Sequence, residues 1–448
     1  MKNLLQNNSF KVPRIKLNSL TDIANAKIVV DFRNSTVSFI KKISKKGNDS
    51  VFANRMNDVP KSFIREILKV AISKDVISFA GGLPNRALFP MEELQEATKL
   101  LFENVGRDAL QYSNTEGYFP LREFISKRYK EKKGLEITTD ELLITHGSQQ
   151  ALDLIGKVLV NEGDDVIIEE PGYLGAIQAL SLFKPRFNTV TIDSEGMDLE
   201  KLKQLYTWRH PKLIYMVPNF QNPGGTTYSL ERRKAIADFL KDKNTILIED
   251  DPYGEIRYRG KDLPLFKSLL PERTISLGTF SKTAVPSFRI GWMALPEFMY
   301  DKFVIAKQAA DLHTNFFSQC LLHEYLINND IDKHIAKISD LYGNQADAMI
   351  ESMNRYFPKE VKYTKPEGGM FLWVTLPEGL SSMALFDKAI KKNVAFVPGN
   401  PFYVNKPEGH VFNTLRLNFS CANEENIEIG IKRLGDAIKS LQKKSKII

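Results

Sequence analysis

The chain has 448 residues, of which 43% are hydrophobic and 26% are charged. This is the composition of an ordinary globular protein with ample length for a large core. The sequence contains no run of about 18 apolar residues, so we expect no transmembrane helix and no membrane partner. The two cysteines, Cys320 and Cys421, lack the spacing of a disulfide framework or a metal site, which predicts reduced thiols and no bound metal in a cytoplasmic protein.

The net charge of +8 comes from the first 55 residues. They contain eleven Lys and Arg, three Asp and no Glu, whereas the rest of the chain carries 51 charged residues of each sign. The net charge therefore gives no reason to expect a nucleic-acid partner. We expect residues 1–55 to be a poorly ordered or loosely docked extension, with a transit peptide or a true start at Met56 as alternatives.

The pattern of apolar residues along the rest of the chain predicts an α/β protein. A helical repeat begins after residue 59, and a short strand at 76–80 leads into a Gly-Gly-Leu-Pro loop. Between residues 90 and 330, helical stretches alternate with β-branched runs, which predict a mostly parallel sheet with helices on both faces. The runs are 141–145, 165–169, 212–217, 245–249, 274–277 and 290–294. A long helix over 332–356, strands at 371–375, 394–397 and 414–419, and a terminal helix predict a smaller α+β domain.

The sharpest local signal is the segment GTFSK at residues 278–282, which ends in Lys282 and is followed seven residues later by Arg289. A lysine just beyond an apolar strand is a poor core residue, and it forms Schiff bases readily if it is desolvated. A surface lysine in a loop is the alternative explanation.

A second signal is the apolar run from residue 246, which ends in Asp250 and Asp251. Because side chains alternate along a strand, these two carboxylates should face opposite ways, and one should lie where α/β folds bind ligands. A carboxylate there can pair with the pyridine nitrogen of pyridoxal 5′-phosphate (PLP). The pairing keeps that nitrogen protonated, so that the ring acts as an electron sink. An Asp that caps the next element is the alternative, and spacing does not choose between the two acids.

Two further segments combine turn or capping chemistry with possible cofactor contacts. Asn222 lies in an Asn-Pro-Gly turn, where it could also donate to a phenolate oxygen such as the 3′ oxygen of PLP. Residues 145–150 lead from a strand into a helix expected over 151–160, with Ser148 as a possible N-cap. The free amides at that helix start suit a phosphate, although a plain capped helix looks the same.

Together these segments resemble the class I and II aminotransferases of PLP fold type I, over about residues 58–440. Within that family, residues 80–84 and 398–403 look most like the α-aminoadipate, kynurenine and multi-substrate aromatic aminotransferase branch. The resemblance implies transfer of an amino group from an L-amino acid, of broad or aromatic/α-aminoadipate type, to a 2-oxo acid such as 2-oxoglutarate.

The implied fold has a large PLP-binding α/β domain, with a mostly parallel sheet of the seven-stranded type, and a smaller α+β domain. We accordingly divide the chain into four parts. They are the extension at 1–55, an N-terminal helix and loop at 56–95 that packs on the small domain and substrate pocket, the large domain at 96–330 and the small domain at 331–448.

The resemblance also carries over to individual residues. Lys282 matches the Schiff-base lysine, and Asp250 matches the partner of the pyridine nitrogen, since in the family a tyrosine, here Tyr253, follows that Asp by three positions. Tyr253 and Asn222 match the groups on the 3′ oxygen, and Tyr173 matches the aromatic ring stacked on the pyridine. The phosphate ligands correspond to Ser148, Gln149, Thr279 (where the family usually has Ser), Ser281 and Arg289.

Substrate and subunit contacts follow from the same resemblance. Arg416 matches the arginine that binds the substrate α-carboxylate, which a planar guanidinium can do bidentately; an arginine on an exposed strand face is the alternative. Gly82 and Asn222 would line the substrate pocket. Arg65 aligns with an arginine of the family's mobile N-terminal helix, and a solvated helix-face arginine is the alternative. Tyr112 matches a residue that reaches the phosphate of the neighbouring subunit, which implies a homodimer with shared active sites.

Two other functions share parts of this pattern. A PLP-dependent lyase or decarboxylase would use the same lysine and aspartate. A transcription regulator with an aminotransferase-like domain is the other, but the N-terminal 55 residues are few for a winged helix-turn-helix and show no recognition-helix pattern. We therefore expect a cytoplasmic PLP-dependent aminotransferase with small-molecule substrates.

Overall fold

The computed structural model of the protein describes residues 51–56, 75–407 and 409–445. The chain divides into two units, residues 1–57 and 58–448, and in the first unit the description covers only the stretch around a 3-10 turn at Asn54–Met56. The helix predicted after residue 59, which includes Arg65, lies outside the described residues, as does most of the predicted extension.

Within the described part of the second unit, the largest of three sheets has eight strands. In spatial order they are β2 (Leu142–Thr145), β9 (Gly291–Ala294), β8 (Thr274–Thr279), β7 (Ile246–Asp250), β6 (Leu213–Met216), β3 (Asp165–Glu170), β4 (Arg186–Asp193) and β5 (Gly196–Met197). Only β9 and β5 pair antiparallel with their neighbours, so the other six strands run in one direction and end at one edge. The prediction of a mostly parallel α/β sheet is confirmed.

All six predicted strands of this sheet are present to within two residues at each end. Strand β4 was not predicted from the sequence. It mixes polar with apolar residues and is buried only at Val190, so it contains no continuous apolar run. The two-residue strand β5 then folds back on β4 and makes an eighth strand where seven were expected.

Helices cover both faces of this sheet. Tyr215, Ile248 and Leu277 on one face pack in the same core cluster as residues of α3, whereas Ile214 and Leu247 on the other face pack with residues of α5 and α6. The α helices of the described residues are α1 (Met91–Asn104), α2 (Phe119–Lys133), α3 (Gly147–Leu159), α4 (Leu174–Ser181), α5 (Leu199–Trp208), α6 (Leu230–Leu240), α7 (Phe266–Leu269), α8 (Tyr300–Asp311), α9 (Phe316–Asn328), α10 (Ile331–Tyr356), α11 (Ser382–Ile390) and α12 (Glu424–Ser445). None of them has the length and apolar character that crossing a membrane requires.

A smaller antiparallel sheet follows the long helix α10. Its order is β10 (Lys362–Tyr363), β11 (Phe371–Thr375), β14 (Thr414–Asn418) and β13 (Val397–Pro398). The predicted strand at 394–397 is in fact two strands. Val394–Ala395 (β12) pairs with Ile77–Ser78 (β1). Strand β13 lies at the edge of the small sheet, where a proline is tolerated because sheet pairing does not need its missing N–H group.

Candidate active site

The carboxyl ends of β2, β3, β6, β7 and β8 meet at one edge of the large sheet. The loops that leave these ends carry most of the residues selected from the sequence. Loops at the carboxyl ends of parallel strands can supply polar side chains without disturbing the buried sheet, which is why α/β folds bind ligands there.

Asp250 is the last residue of β7 and is only 2% exposed. Its Oδ2 accepts a hydrogen bond of 2.6 Å from the Tyr215 hydroxyl, whereas its Oδ1 is buried without a partner. Burial raises the pKa of Asp250 to about 7, although the Tyr215 hydrogen bond acts in the opposite direction. Asp251 differs, because its Oδ1 accepts a hydrogen bond of 3.0 Å from Asn219. Of these two acids, only Asp250 therefore presents an empty buried acceptor.

Lys282 is half-buried just after β8, and its Nζ donates to the carbonyl oxygen of Gly82 at 2.8 Å. Burial, followed by the charges of Arg416 and Arg289, lowers the pKa of Lys282 to about 8. The alternative of a freely solvated surface lysine is wrong. An amine with this pKa is partly neutral near pH 7, so it can act as a nucleophile or a base.

Arg416 lies in β14 and is only 3% exposed, so the alternative of an arginine on an exposed strand face is also wrong. Its Nη1 donates to Asn222 Oδ1 at 2.8 Å, and its Nη2 donates to the Ala80 carbonyl at 3.1 Å. The guanidinium carbon lies 4.3 Å from the centroid of the Phe371 ring, and Nε has no partner. Burial lowers the pKa of Arg416 to about 10, so it stays a cation at neutral pH.

Three residues selected as contacts of the cofactor ring are gathered near Arg416. Asn222 and Tyr253 are buried, and Tyr253 meets Phe371 edge-on at 5.8 Å between ring centroids. Tyr173 immediately precedes α4, and burial raises its pKa to about 12, with opposing effects from the charges of Asp250 and Arg416. These electrostatic couplings indicate that Asp250, Tyr173 and Arg416 share one environment.

A second group forms a polar cradle, which consists of Gly147, Thr279, Ser281 and Arg289. Arg289 Nη1 donates to Ser281 Oγ at 3.1 Å, and the Ser281 hydroxyl lies 2.9 Å from Thr279 Oγ1. Gly147 has φ 68°, and a Cβ there would lie 2.5 Å from Arg289 Nη2, so only glycine lets the arginine approach the first turn of α3. Hydroxyls, a guanidinium and helix-start amides together suit a phosphate.

One detail of the predicted phosphate site needs correction. Helix α3 begins at Gly147 with His146 in the capping position, and the cap makes no side-chain hydrogen bond. Ser148 is therefore the second residue of the helix and not its N-cap, because the left-handed turn at Gly147 already starts the helix. Gln149 is exposed, and its Nε2 donates to the Gly175 carbonyl at 3.1 Å.

The remaining predicted residues lie around this centre or outside the described part. Gly82 stands close to Phe371, since a Cβ on Gly82 would lie 3.2 Å from the ring. Tyr112 is 79% exposed and contacts His313 edge-on at 5.9 Å between ring centroids. Arg65 lies outside the described residues. In the described ranges, no group of His, Cys, Asp and Glu side chains could hold a metal ion.

The sequence reading missed a buried carboxylate that supports the Asn222 turn. Glu169 in β3 accepts hydrogen bonds from the Val217 amide at 3.0 Å and the Tyr228 hydroxyl at 2.8 Å through Oε1. Its Oε2 accepts from Gln221 Nε2 at 3.0 Å, and Gln221 Oε1 accepts from the Gly224 amide at 2.6 Å. A glutamate at the end of an apolar run is a usable signal, but its partners lie about 50 residues further along the chain.

These residues fit PLP on grounds of their own chemistry. The empty Oδ1 of Asp250 suits a protonated ring nitrogen, the cradle suits a phosphate, and Lys282 is an amine of lowered pKa. Arg416 adds a buried cation with an unused Nε donor for an anionic group.

Comparison with known proteins agrees with this fit. The sequence profile of the family described as aminotransferase class I and II matches residues 74–434. An aromatic-amino-acid aminotransferase of Thermococcus litoralis is 43% identical over 402 residues, which cover 88% of this chain and 96% of that protein. A 2-aminoadipate transaminase of Thermus thermophilus is 42% identical over 395 residues, which cover 87% of this chain and 97% of that protein.

A solved structure gives the same result. The crystal structure of a kynurenine aminotransferase of Pyrococcus horikoshii, in complex with PMP, has a TM-score of 0.84 and 43% identity to this chain. The match covers 88% of this chain and 98% of that one. The chain therefore belongs to the class I and II aminotransferases, in their aromatic, α-aminoadipate and kynurenine branch, and is a PLP-dependent transaminase of fold type I.

Proposed function

We propose that Lys282, Asp250, Tyr253, Asn222 and Arg416 form the catalytic centre of this aminotransferase. The observation that carries the proposal is the buried, unpartnered Oδ1 of Asp250 at the carboxyl edge of the sheet. A buried acceptor without a partner is costly, and ligand sites are where a fold retains one. PLP supplies an aldehyde that takes up the amino group and a ring that withdraws electrons from the substrate α carbon.

Each part of the cofactor has a proposed partner. Asp250 would hold the ring nitrogen, Asn222 and Tyr253 the 3′ oxygen, and Tyr173 one face of the ring. The phosphate would bind the cradle, with Ser148 contributing its backbone amide and Gln149 its side chain. The family resemblance implies these roles, and the donor and acceptor character of the groups and the first turn of α3 as an anion site support them.

Lys282 would carry the proton in both directions. Its Nζ would take the proton from the substrate α carbon as a general base and, as a general acid, would give it to the former aldehyde carbon of the cofactor, which its lowered pKa of about 8 favours near neutral pH. Gly82, whose carbonyl accepts from Lys282, would hold the amine while it is free of the cofactor.

Arg416 would bind the α-carboxylate of the substrate. Its guanidinium is already held by Asn222, the Ala80 carbonyl and the Phe371 ring. The side chain therefore loses little further conformational entropy when a carboxylate binds. A carboxylate fixed there orients the Cα–H bond toward Lys282, which is the main contribution that positioning makes to the rate.

For the substrates, we propose aromatic and α-aminoadipate-type amino donors, with 2-oxoglutarate as the acceptor. The support is the aromatic lining by Tyr253, Phe371 and Phe402 around Arg416, together with the names of the similar enzymes. Arg65 is proposed to meet the distal group of the donor.

The test is a panel of amino donors with 2-oxoglutarate as acceptor. α-Aminoadipate, kynurenine and the aromatic amino acids should give the highest kcat/KM, and branched-chain amino acids the lowest. Equal rates across the panel would contradict the donor proposal. Failure of the enzyme to convert bound PLP to its amine form with any donor would contradict the proposed catalytic centre.

We also propose a cytoplasmic homodimer in which Tyr112 reaches the cradle of the neighbouring subunit, as its exposure allows. Hybrids of Lys282→Ala and Tyr112→Ala subunits test this sharing. In a shared arrangement, one site of each hybrid carries both changes and the other carries neither. Mixing the two inactive or weakened variants should then restore activity, and no gain over the unmixed variants would contradict the sharing.

A further inference from the structure

A tyrosine outside the residues selected from the sequence contacts the buried carboxylate of Asp250. Tyr215 in β6 is fully buried, and its hydroxyl donates to Asp250 Oδ2 at 2.6 Å. Among the residues that the structure describes, no other side chain donates to this carboxylate. Of its two oxygens, one is thus occupied by Tyr215 and the other, Oδ1, is free.

Strand register makes this contact possible. Tyr215 is the direct partner of Ile248 in β7, and Asp250 lies two residues further along the same strand. Residues two apart point to the same face, so Tyr215 and Asp250 are diagonal neighbours, a separation that a long aromatic side chain can bridge. Both ends of the hydrogen bond are therefore fixed by paired backbone and not by a loop.

We propose that Tyr215 is a positioning residue, whose hydroxyl holds Asp250 Oδ2 so that Oδ1 is presented to the ring nitrogen of PLP. The inference rests on the proposed role of Asp250. A carboxylate that is free to rotate about χ2 offers either oxygen in many directions, whereas one anchored oxygen leaves the other with a single direction. The hydroxyl can donate only one hydrogen bond, so it cannot itself occupy Oδ1.

Tyr215 also affects the charge state of Asp250, and this second effect likewise favours binding of the ring nitrogen. Burial favours the neutral carboxylic acid, and the Tyr215 hydrogen bond favours the carboxylate, which is the form that attracts a protonated ring. Loss of the hydroxyl would leave Oδ2 unpartnered as well and favour the neutral acid, which attracts a protonated ring less strongly.

The opposite face of the sheet provides a matched control. Tyr228 is also fully buried, and its hydroxyl donates to a buried carboxylate oxygen, Glu169 Oε1, at 2.8 Å. Glu169 shares its strand face with Ile167, which packs with Tyr228 on the side of the sheet away from Tyr215. Tyr228→Phe thus deletes a similar hydrogen bond without touching the proposed contact to the ring nitrogen.

The experiment measures how much the ring nitrogen contributes to binding. The apoenzymes of the wild-type chain, Tyr215→Phe and Tyr228→Phe are titrated with PLP and with the analogue that has C–H in place of the ring nitrogen. The wild type should bind PLP more tightly than the analogue. We expect this preference to fall about tenfold in Tyr215→Phe and to stay at the wild-type value in Tyr228→Phe.

A wild-type preference in Tyr215→Phe would overturn the inference. Tyr215→Leu, which also lacks the hydroxyl, provides a second variant if the first does not fold, and it should lose the preference too. The variant Asp250→Asn distinguishes a failure of the proposed role of Asp250 from a failure of the proposed role of Tyr215. If Asp250→Asn keeps the preference for PLP, the proposed role of Asp250 fails; if it loses the preference while Tyr215→Phe keeps it, only the role of Tyr215 fails.

Discussion

Two buried carboxylates at the carboxyl edge of the large sheet differ in how their oxygens are used. Glu169 at the end of β3 and Asp250 at the end of β7 are both almost fully buried, and burial raises the pKa of each to about 7. Glu169 has protein partners on both oxygens. Asp250 has a partner on Oδ2 alone.

The difference separates a structural carboxylate from one that awaits a ligand. Every acceptor of Glu169 is satisfied within the chain, and its partners hold the turn that carries Asn222. Asp250 leaves one acceptor for a group that the chain does not supply. Burial and pKa alone do not distinguish these two groups, whereas the count of satisfied oxygens does.

The largest effect is expected for Lys282→Ala, which tests whether a cofactor is covalently attached beside Asp250. Lys282→Ala removes both the covalent attachment and the proton carrier, so kcat should fall by about 10⁴-fold or more. Borohydride treatment followed by peptide mass spectrometry should find PLP fixed to Lys282 in the wild type and no fixed PLP in the variant. An adduct at wild-type yield in Lys282→Ala would end the assignment.

Asp250→Asn should be nearly as damaging, with a fall in kcat of about 10³-fold, because the neutral amide no longer stabilises a protonated ring. The melting temperature of the apoenzyme should not fall, since the change removes a buried ionisable group of raised pKa. Single-turnover kinetics with one amino donor measure the effect. A variant with wild-type kcat would remove the distinction between the two carboxylates.

Arg416 extends the comparison to a buried cation with an unused donor, its Nε. Arg416→Gln should raise KM for every amino donor by roughly 100-fold, since two charge-assisted hydrogen bonds to the α-carboxylate are lost. Amines that lack a carboxylate serve as the internal control, because their weak turnover should not respond to the change. An equal loss with such amines would argue for a structural role.

Glu169→Gln should act mainly on stability. The new amide can still accept at one position, but its NH₂ group must face one of three donors, so we expect a loss of about 1–3 kcal/mol in the free energy of unfolding. Urea titration measures this loss. The preference for PLP over its ring-carbon analogue should remain. A loss of that preference would mean that Glu169, like Asp250, contributes to binding of the ring nitrogen.

The last expected effect is a slope in the pH dependence of apoenzyme stability. The folded pKa of Asp250, about 7, lies above the unfolded value, so between about pH 4 and 7 the native state binds a proton that the unfolded state does not. Stability relative to Asp250→Asn should therefore fall as pH rises through that window, by at most about 1.4 kcal/mol per pH unit. Glu169 is common to both proteins and cancels in the difference. Urea unfolding at several pH values between 5 and 8 checks this, and a flat difference would contradict it.

The strands of the large sheet were predictable because each is a short apolar run between turn signals, as at 165–169 and 212–217. Strand β4 was not, since only its last two residues pair with β5, and a strand so near the edge of the sheet buries too few side chains to leave such a run. Most of the proposed centre could also be selected in advance. Lys282, Asn222 and the pair Asp250 and Asp251 lie in local segments with recognisable chemistry, whereas Arg416 and the choice of Asp250 over Asp251 came from the family resemblance.

What the sequence determined by itself is the set of segments and their order: the lysine after one strand, the aspartate at the end of another, the glycine at the start of α3. What only the tertiary structure decided is which groups are satisfied. The pairing of Tyr215 with Asp250 spans 35 residues, and that of Glu169 with Tyr228 spans 59. Such pairs depend on strand register and on which face each side chain occupies, and these are set by packing across the whole sheet and not by any local pattern.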